Sequence, residues 1–242
     1  MDFLHEKHIT LSSDSSERAG RHALLGLLDE LQTIAGEHAD ILHFGIKDLN
    51  KENDTWVLSK LRVEIDRWPS KEEKTILQTW PKGIDRLFAV RDFFLKDEQE
   101  KIIARAASYW LVIDRVTKRP KKISDYFKKF TYPDLSAIDK PLDKIPALKD
   151  AEYSLQIKVT ENEIDINGHV NNVWYAHWIL NTIPEEIKRP ITCFEINYLS
   201  EVFSGESIIT KTGYSPESPD IMLGTILKDG KEACRVKIHF GA

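Results

Sequence analysis

Ten stretches of the chain alternate between apolar and polar residues, a pattern that is typical of β-strands with one buried face. Five lie in the first half of the sequence, at residues 6–13, 55–68, 74–80, 86–96 and 101–117. The other five lie in the second half, at residues 152–160, 191–199, 206–214, 220–228 and 231–240. Pro69-Ser70 and Pro81-Lys82-Gly83 predict turns between strands of the first half. The chain is therefore expected to be rich in antiparallel sheet.

Each half also contains one stretch whose apolar residues follow a helical period. Residues 16–42 predict a long helix behind a serine-rich capping region, with apolar positions Leu24, Leu27, Leu28, Leu31 and Ile34. The second stretch is "VNNVWYAHWILNTI", and its expected apolar face is Val170, Val173, Trp174, His177 and Trp178. Each half thus has the order strand, helix, four strands. This order indicates an α+β fold in which a curved antiparallel sheet wraps around one central helix.

A segment of different composition separates the two halves. Residues 118–150 show no regular period and contain four of the ten prolines: Pro120, Pro133, Pro141 and Pro146. We therefore predict an N-terminal repeat over residues 1–117, a linker that packs on the surface over residues 118–150, and a C-terminal repeat over residues 151–242.

The composition narrows the classes of function. With a net charge of −5, the chain as a whole has no tendency to bind nucleic acid. Cys193 and Cys234 have no CxxC spacing, so they indicate neither a zinc site nor a disulfide framework. No apolar run is long enough to insert across a membrane, and the start "MDFLHEKHITL" lacks the apolar region of a signal peptide. The expected location is the cytoplasm.

The densest group of polar residues is "IDINGHVNNVWY", at residues 164–175. Asp165, Asn167 and His169 are spaced i, i+2, i+4, so an extended segment would direct all three side chains to one side. Taken singly, each also has a structural explanation as a helix cap, a turn residue or a packing residue. The sequence contains no GxSxG, GxGxxG, P-loop or HExxH motif. We therefore expect neither a serine hydrolase nor a nucleotide-binding protein, and no cofactor or metal.

The same stretch carries a resemblance to a known family. Its Asp-x-Asn-x-His-Val-Asn-Asn-x-x-Tyr pattern at residues 165–175 resembles the second repeat of the acyl-acyl-carrier-protein (acyl-ACP) thioesterases of plants and bacteria. In the first half, "VRDF" at residues 90–93 resembles the family's Arg-Arg-Asp-Trp region. The resemblance extends over nearly the whole chain and implies a tandem (double) hotdog fold of the α+β class. Because no plastid transit peptide is visible, a bacterial member is expected.

The resemblance implies a catalytic set of four residues: Asp165, Asn167, His169 and Glu201. In the mechanism that it implies, Glu201 activates a water molecule and His169 orients the water or acts as a second base. Asp165 would fix the tautomer of His169 or the position of Asn167, and the division of roles among the set stays open. The backbone N–H groups of Val170 and Asn171, at the expected start of a helix, would bind the developing oxyanion.

One position departs from the family pattern. Plant members carry a cysteine directly after the glutamate, whereas Val202 follows Glu201 in this chain. Because valine cannot act as a nucleophile, a cysteine mechanism is excluded at this position. Glu195 is the second candidate for the base, since the alternation of an extended strand would put it on the same face as Glu201.

The reaction implied is hydrolysis of acyl-ACP to a free fatty acid and the carrier protein. The first half lacks the Asp-x-Asn-x-His arrangement, so the C-terminal repeat is expected to catalyse. The resemblance implies that the N-terminal repeat encloses the acyl chain. The basic run at residues 115–129 is either a solvated connector or a docking surface for the acidic carrier, with candidate contacts Arg119, Lys121 and Lys122 and with Arg18 and Arg21 in support. An acyl-CoA thioesterase and a non-catalytic acyl-binding protein are the alternatives, and a homodimer is compatible with the sequence.

Overall fold

The computed structural model of the protein describes residues 3–11, 20–123, 127, 131–165 and 168–241. These residues form two compact units. The first unit comprises residues 3–11 and Gly26–Leu142, and the second comprises residues 20–25 and 143–241. The division therefore falls within the segment that the composition marks as a linker.

The first unit is an antiparallel sheet with one long helix. Its elements are β1 (His5–Thr10), most of α1 (Arg21–Ile41), α2 (Ile46–Lys51), β2 (Asp54–Ile65), β3 (Lys74–Asp85), β4 (Phe88–Lys96) and β5 (Ile102–Asp114). The strands pair in the order β1-β3-β4-β5-β2.

The second unit has the same plan. Its elements are β6 (Tyr153–Lys158), a short 3-10 helix (Glu161–Glu163), α3 (Asn172–Thr182), β7 (Ile191–Tyr198), β8 (Ser207–Ser215), β9 (Ser218–Lys228) and β10 (Lys231–Phe240). The strands pair in the order β6-β8-β9-β10-β7, which is the order of the first unit shifted by five strands. The predicted succession of strand, helix and four strands is thus confirmed in both halves.

The apolar stripe of α1 is buried as its period predicts. Leu24, Leu27, Leu28, Leu31 and Ile34 are all at most 2% exposed. Burial of such a side chain contributes about 1.5–3 kcal/mol to folding, so this stripe is a main source of stability. Around Leu27 and Leu31 the packing leaves no room for a water molecule. In this structure the α1 leucines are core residues.

The predicted buried face of the second helix is wrong in part. The helix begins at Asn172, so Val170 lies outside it, and Val173, Trp174 and His177 are only partly buried. The helix instead buries Tyr175, Ala176, Trp178, Ile179, Leu180 and Thr182. Apolar residues occur all around this short helix, so the period alone does not select the face that meets the sheet.

Two local features of the first unit also differ from expectation. The predicted turn at Pro81-Lys82-Gly83 is a bulge inside β3, where the pairing with β4 shifts register between Pro81 and Gly83. Proline is tolerated there because a bulge does not need its missing N–H, and Gly83 has a φ of 152° that suits glycine. Helix α2 has no buried residue, and a helix without a buried face has no hydrophobic period to reveal it.

The segment before residue 143 is attached to the first unit by buried polar contacts. The Asp92 carboxylate accepts the Ala137 N–H at 2.7 Å and pairs with the Lys82 ammonium at 3.2 Å. Lys82 also donates to the Ile138 carbonyl at 2.6 Å. Burial raises the pKa of Asp92, and its two donors oppose that shift. None of the described helices is long and apolar enough to cross a membrane.

Candidate active site

Two loops of the second unit bring a histidine and a glutamate together. His169 lies in the loop before α3, and Glu201 lies in the connection between β7 and β8. The His169 Nε2 atom is 3.5 Å from Glu201 Oε2, and the two side chains are 28% and 32% exposed. The pair is therefore within reach of a substrate from solvent while remaining partly shielded from it.

The loop before α3 holds His169 through its own backbone. The Asp165 N–H donates to the His169 carbonyl at 2.8 Å, and the His169 N–H donates to Asp165 Oδ1 at 3.3 Å. The Gly168 N–H donates to the Asp165 carbonyl, and Gly168 has a φ of 82° that favours glycine. Asp165 thus positions the backbone of His169. Asn167, the fourth member of the sequence-predicted set, lies outside the described residues.

Glu163 ties this loop to α3. Its carboxylate accepts the Trp178 indole N–H at 2.9 Å and the Thr160 N–H at 2.5 Å, and its backbone carbonyl accepts the Asn171 N–H at 2.9 Å. Asn171 in turn caps α3, because its side chain accepts the Val173 N–H at 3.0 Å. Glu163 is 7% exposed and was missed in the sequence, where a glutamate near a loop gives no sign of burial.

Replacing Glu163 by alanine is expected to destabilise the second unit by about 2–3 kcal/mol, since a buried indole N–H and a cap contact lose their acceptor. Urea unfolding monitored by tryptophan fluorescence measures this loss. Glu161→Ala, an exposed change in the same short helix, is the matched control and should stay within about 0.5 kcal/mol of the unchanged protein. Equal effects of the two changes would contradict the anchoring role of Glu163.

The loop that carries Glu201 is held by a lysine from β9. The Lys228 ammonium donates to the Glu201 carbonyl at 2.7 Å and pairs with Glu206 at 3.2 Å. The Glu206 carboxylate accepts the Phe203 N–H at 2.9 Å. The Phe203 ring lies edge-on to the His169 ring at 5.2 Å and beneath Lys228 at 5.3 Å. These contacts join the two halves of the site, and no sequence motif indicates them.

The prediction of an oxyanion site at two backbone amides is wrong in this structure. The Val170 N–H donates to the Val202 carbonyl at 3.0 Å, and the Asn171 N–H donates to the Glu163 carbonyl. Val170 forms an isolated bridge with Ile164, and α3 begins only at Asn172. The helix start was therefore predicted too early, and both amides are engaged in holding the loop.

The alternative base and the two cysteines lie elsewhere. Strand β7 ends at Tyr198, so its alternation does not continue to Glu201, and the expected shared face of Glu195 and Glu201 is wrong. Glu195 is 8% exposed and lies 3.9 Å from Lys237 of β10. Both cysteines are buried, and burial raises the pKa of the Cys234 thiol. Val202, at the position where plant members carry cysteine, is 0% exposed.

The corresponding loop of the first unit, between β2 and β3, has a different chemistry. There the Ser70 N–H donates to the Glu73 carboxylate, as Phe203 does to Glu206 in the second unit. Arg67 binds both oxygens of Glu73 at 2.6 and 2.9 Å and pairs with Asp97 at 3.2 Å. Arg67 holds the pKa of Glu73 near 2, well below its usual range. The first unit thus has a loop of similar backbone contacts, in which the charged side chains of Arg67, Glu73 and Asp97 bind one another.

The three residues predicted to dock the carrier protein differ in exposure and in ion pairing. Arg119 and Lys122 are exposed, whereas the Lys121 ammonium lies 2.5 Å from Asp54 and 3.6 Å from Asp114. The support expected from Arg21 is wrong, because Arg21 is 3% exposed and donates to four backbone carbonyls of the second unit. Arg18 lies outside the described residues.

Two repeats of one sheet-and-helix topology define the chain as a double-hotdog protein, and its polar pair lies in the second repeat. Residues 3–130 match the acyl-ACP thioesterase N-terminal domain, and residues 147–242 match the acyl-ACP thioesterase C-terminal domain. The chain therefore belongs to the acyl-ACP thioesterase family.

Individual relatives agree with this assignment. An acyl-ACP thioesterase structure from Bacteroides thetaiotaomicron is 29% identical, with a TM-score of 0.87 over 99% of this chain and 98% of that one. The 12:0-ACP thioesterase from Umbellularia californica, 22% identical with a TM-score of 0.88, shares the fold. The chloroplastic oleoyl-acyl carrier protein thioesterase of Coriandrum sativum is 30% identical over 177 residues. That match covers 65% of this chain and 47% of the relative, so the chain spans about half the length of this relative.

Proposed function

We propose that this protein hydrolyses the thioester of acyl-ACP and releases a free fatty acid and the carrier protein. The observation that carries the proposal is the approach of His169 and Glu201 to 3.5 Å in the second repeat of an acyl-ACP thioesterase fold. An acyl-binding protein has no need for an imidazole and a carboxylate at this distance, whereas hydrolysis needs both a base and a hydrogen-bond donor.

In the proposed reaction, the Glu201 carboxylate takes a proton from a water molecule, whose oxygen attacks the thioester carbonyl carbon. The carbon–sulfur bond of the resulting tetrahedral intermediate then breaks, and Glu201 returns the proton to the departing thiolate. Because the backbone amides of Val170 and Asn171 are engaged, we assign the oxyanion to side-chain donors. These are the His169 imidazole and, by its place in the sequence pattern, the Asn167 amide.

The remaining residues of the site hold His169 and Glu201 in position. Asp165 holds the backbone of His169 through two hydrogen bonds, and Lys228 holds the carbonyl of Glu201. Holding a base and a donor in place before the substrate arrives lowers the cost of reaching the transition state. Catalysis in this mechanism therefore depends on two loops that position a base and a donor, and not on a nucleophilic side chain.

Thiol release from matched panels of acyl-ACP and acyl-CoA substrates tests the proposed function. Turnover of acyl-ACP with a higher kcat/KM than acyl-CoA of the same chain length supports the proposal. Preference for acyl-CoA would make the protein an acyl-CoA thioesterase, and absence of turnover on both panels would contradict an enzymatic role.

We also propose that Arg119 and Lys122 contact the acidic carrier protein, since both are exposed and carry charge of the complementary sign. The double change Arg119→Glu with Lys122→Glu is expected to raise KM for acyl-ACP by about three- to tenfold and to leave kcat unchanged. The matched control is Lys71→Glu with Lys101→Glu, which makes the same charge change at exposed positions of the same unit. An equal rise of KM in both double variants would show that the effect comes from the net charge of the protein. That result would contradict a docking surface at Arg119 and Lys122.

A further inference from the structure

A group of potential metal ligands lies near the start of β7 and the end of β10, at the end of this strand pair that is away from Glu201. Cys193, Glu195 and His239 offer a thiol, a carboxylate and an imidazole whose ligand atoms all lie within 4.8 Å of one another. Cys193 and Glu195 are 7% and 8% exposed, and His239 is partly exposed. The proposed hydrolysis uses none of these residues.

The sheet register makes this group a fixed feature of the fold. Cys193 of β7 is the direct partner of His239 in the antiparallel β10, and Glu195 lies two residues further along β7 on the same face. The opposite face of the two strands is the core of the second unit, where Phe194 and Val236 are 0% exposed. Two paired strands with a packed core beneath them hold the three ligands on a rigid base.

We propose that Cys193, Glu195 and His239 form a binding site for a divalent cation of the zinc type. Sulfur, imidazole nitrogen and carboxylate oxygen are the three ligand types that Zn²⁺ takes in proteins, with bonds of about 2.0–2.3 Å. Tetrahedral bonds of that length place the ligand atoms about 3.3–3.8 Å apart, so small side-chain rotations close the group around an ion. A water molecule takes the fourth position.

Lys237 competes with a cation for the Glu195 carboxylate. Its ammonium lies 3.9 Å from Glu195 Oε1, at the limit of an ion pair, and it faces the same side of the sheet as His239. An incoming cation must displace the ammonium from the carboxylate or share the carboxylate with it. Removal of the lysine charge is therefore expected to strengthen binding of a cation, an effect that a purely structural group would not show.

The site is separate from the proposed catalytic pair. Cys193 lies five residues before the end of β7, which corresponds to about 17 Å of extended chain, and Glu201 follows beyond that end. Binding at Cys193 and activity at Glu201 can therefore be measured independently, and failure of one proposal does not decide the other.

Titration of the reduced, metal-free protein with Zn²⁺ in competition with a chromophoric chelator tests the site. We expect one Zn²⁺ per chain, at least tenfold weaker binding in Cys193→Ser and His239→Asn, and tighter binding in Lys237→Met. Cys234→Ala, which changes the other buried cysteine, and His177→Asn, which changes a histidine of α3, are the matched controls and should bind as the unchanged protein does.

Substitution by Co²⁺ adds a direct signature of the sulfur ligand. A thiolate-to-cobalt charge-transfer band is expected in the unchanged protein and in Cys234→Ala, and it should vanish in Cys193→Ser. Zinc binding that persists unchanged in Cys193→Ser and His239→Asn would assign the ion to adventitious surface histidines and overturn the proposal. No zinc binding by the unchanged protein would overturn it as well.

Discussion

Glu201→Gln is expected to lower kcat for acyl-ACP hydrolysis by about 10²- to 10⁴-fold, the usual contribution of a general base. Glutamine preserves the size of the side chain but cannot accept the proton of the attacking water. The side chain is 32% exposed, and Lys228 holds the loop through the Glu201 main-chain carbonyl, so the loop should keep its geometry. Steady-state thiol release from acyl-ACP measures the loss, and an unchanged melting temperature shows that the fold is intact.

The control for Glu201 is the other glutamate of this region. Glu195→Gln makes the same chemical change in β7, away from His169 and beside Lys237, and it should retain kcat within about twofold. Full activity of Glu201→Gln together with a loss in Glu195→Gln would reverse the assignment of the base. His169→Gln should also lose activity, because the proposed hydrolysis needs the imidazole as an oxyanion donor in addition to the base.

Arg21→Met is expected to destabilise the second unit by about 3–5 kcal/mol. The guanidinium is 3% exposed and donates to the carbonyls of Leu180 and Ile183 at 3.3 and 3.1 Å. It also donates to the carbonyls of Pro184 and Ile187 at 3.2 and 2.9 Å. The Leu180 and Ile183 carbonyls lie at the C-terminal end of α3, where a cation is favoured by the helix dipole, and the Pro184 and Ile187 carbonyls lie in the segment that follows α3.

Urea unfolding at equilibrium measures the effect of Arg21→Met. Arg119→Met removes an exposed arginine and should cost less than about 0.5 kcal/mol. Arg21→Lys should fall between the two, because one ammonium cannot reach four carbonyls that the guanidinium fork spans. A loss below about 1 kcal/mol in Arg21→Met would show that the four contacts carry little free energy.

Much of the secondary structure of this protein follows from its sequence, because α1 buries one face and strands such as β2, β3 and β10 bury alternate residues over part of their length. Period-2 and period-3.6 patterns report such burial directly, and the leucines of α1 are buried at the predicted positions. The period does not define the two shorter helices. Helix α2 has no buried residue, so no apolar period predicts it. Helix α3 is apolar on several sides, so the period predicts neither the residue at which α3 begins nor the face that it buries.

The chemistry of the site could be predicted only in part. The resemblance named His169 and Glu201, whose proximity depends on two loops 32 residues apart that the chain pattern alone does not connect. The contacts that hold these two loops join residues far apart in the sequence, so no local pattern predicts them. Lys228 meets Glu201 across 27 residues, and Arg21 meets Leu180 across 159. The oxyanion prediction was wrong because it assumed free amides at a helix start that the backbone uses otherwise.

In the proposed mechanism, water activated by Glu201 attacks the acyl-ACP thioester directly, and His169 donates to the developing oxyanion. A single turnover of acyl-ACP in ¹⁸O-water, with mass analysis of both the fatty acid and the enzyme, tests this claim most directly. We predict one ¹⁸O atom in the fatty acid and none in the protein. Label in a carboxylate of the enzyme, or an acyl group attached to it, would show a covalent intermediate and contradict direct attack, and the absence of any fatty acid would contradict the proposed function itself.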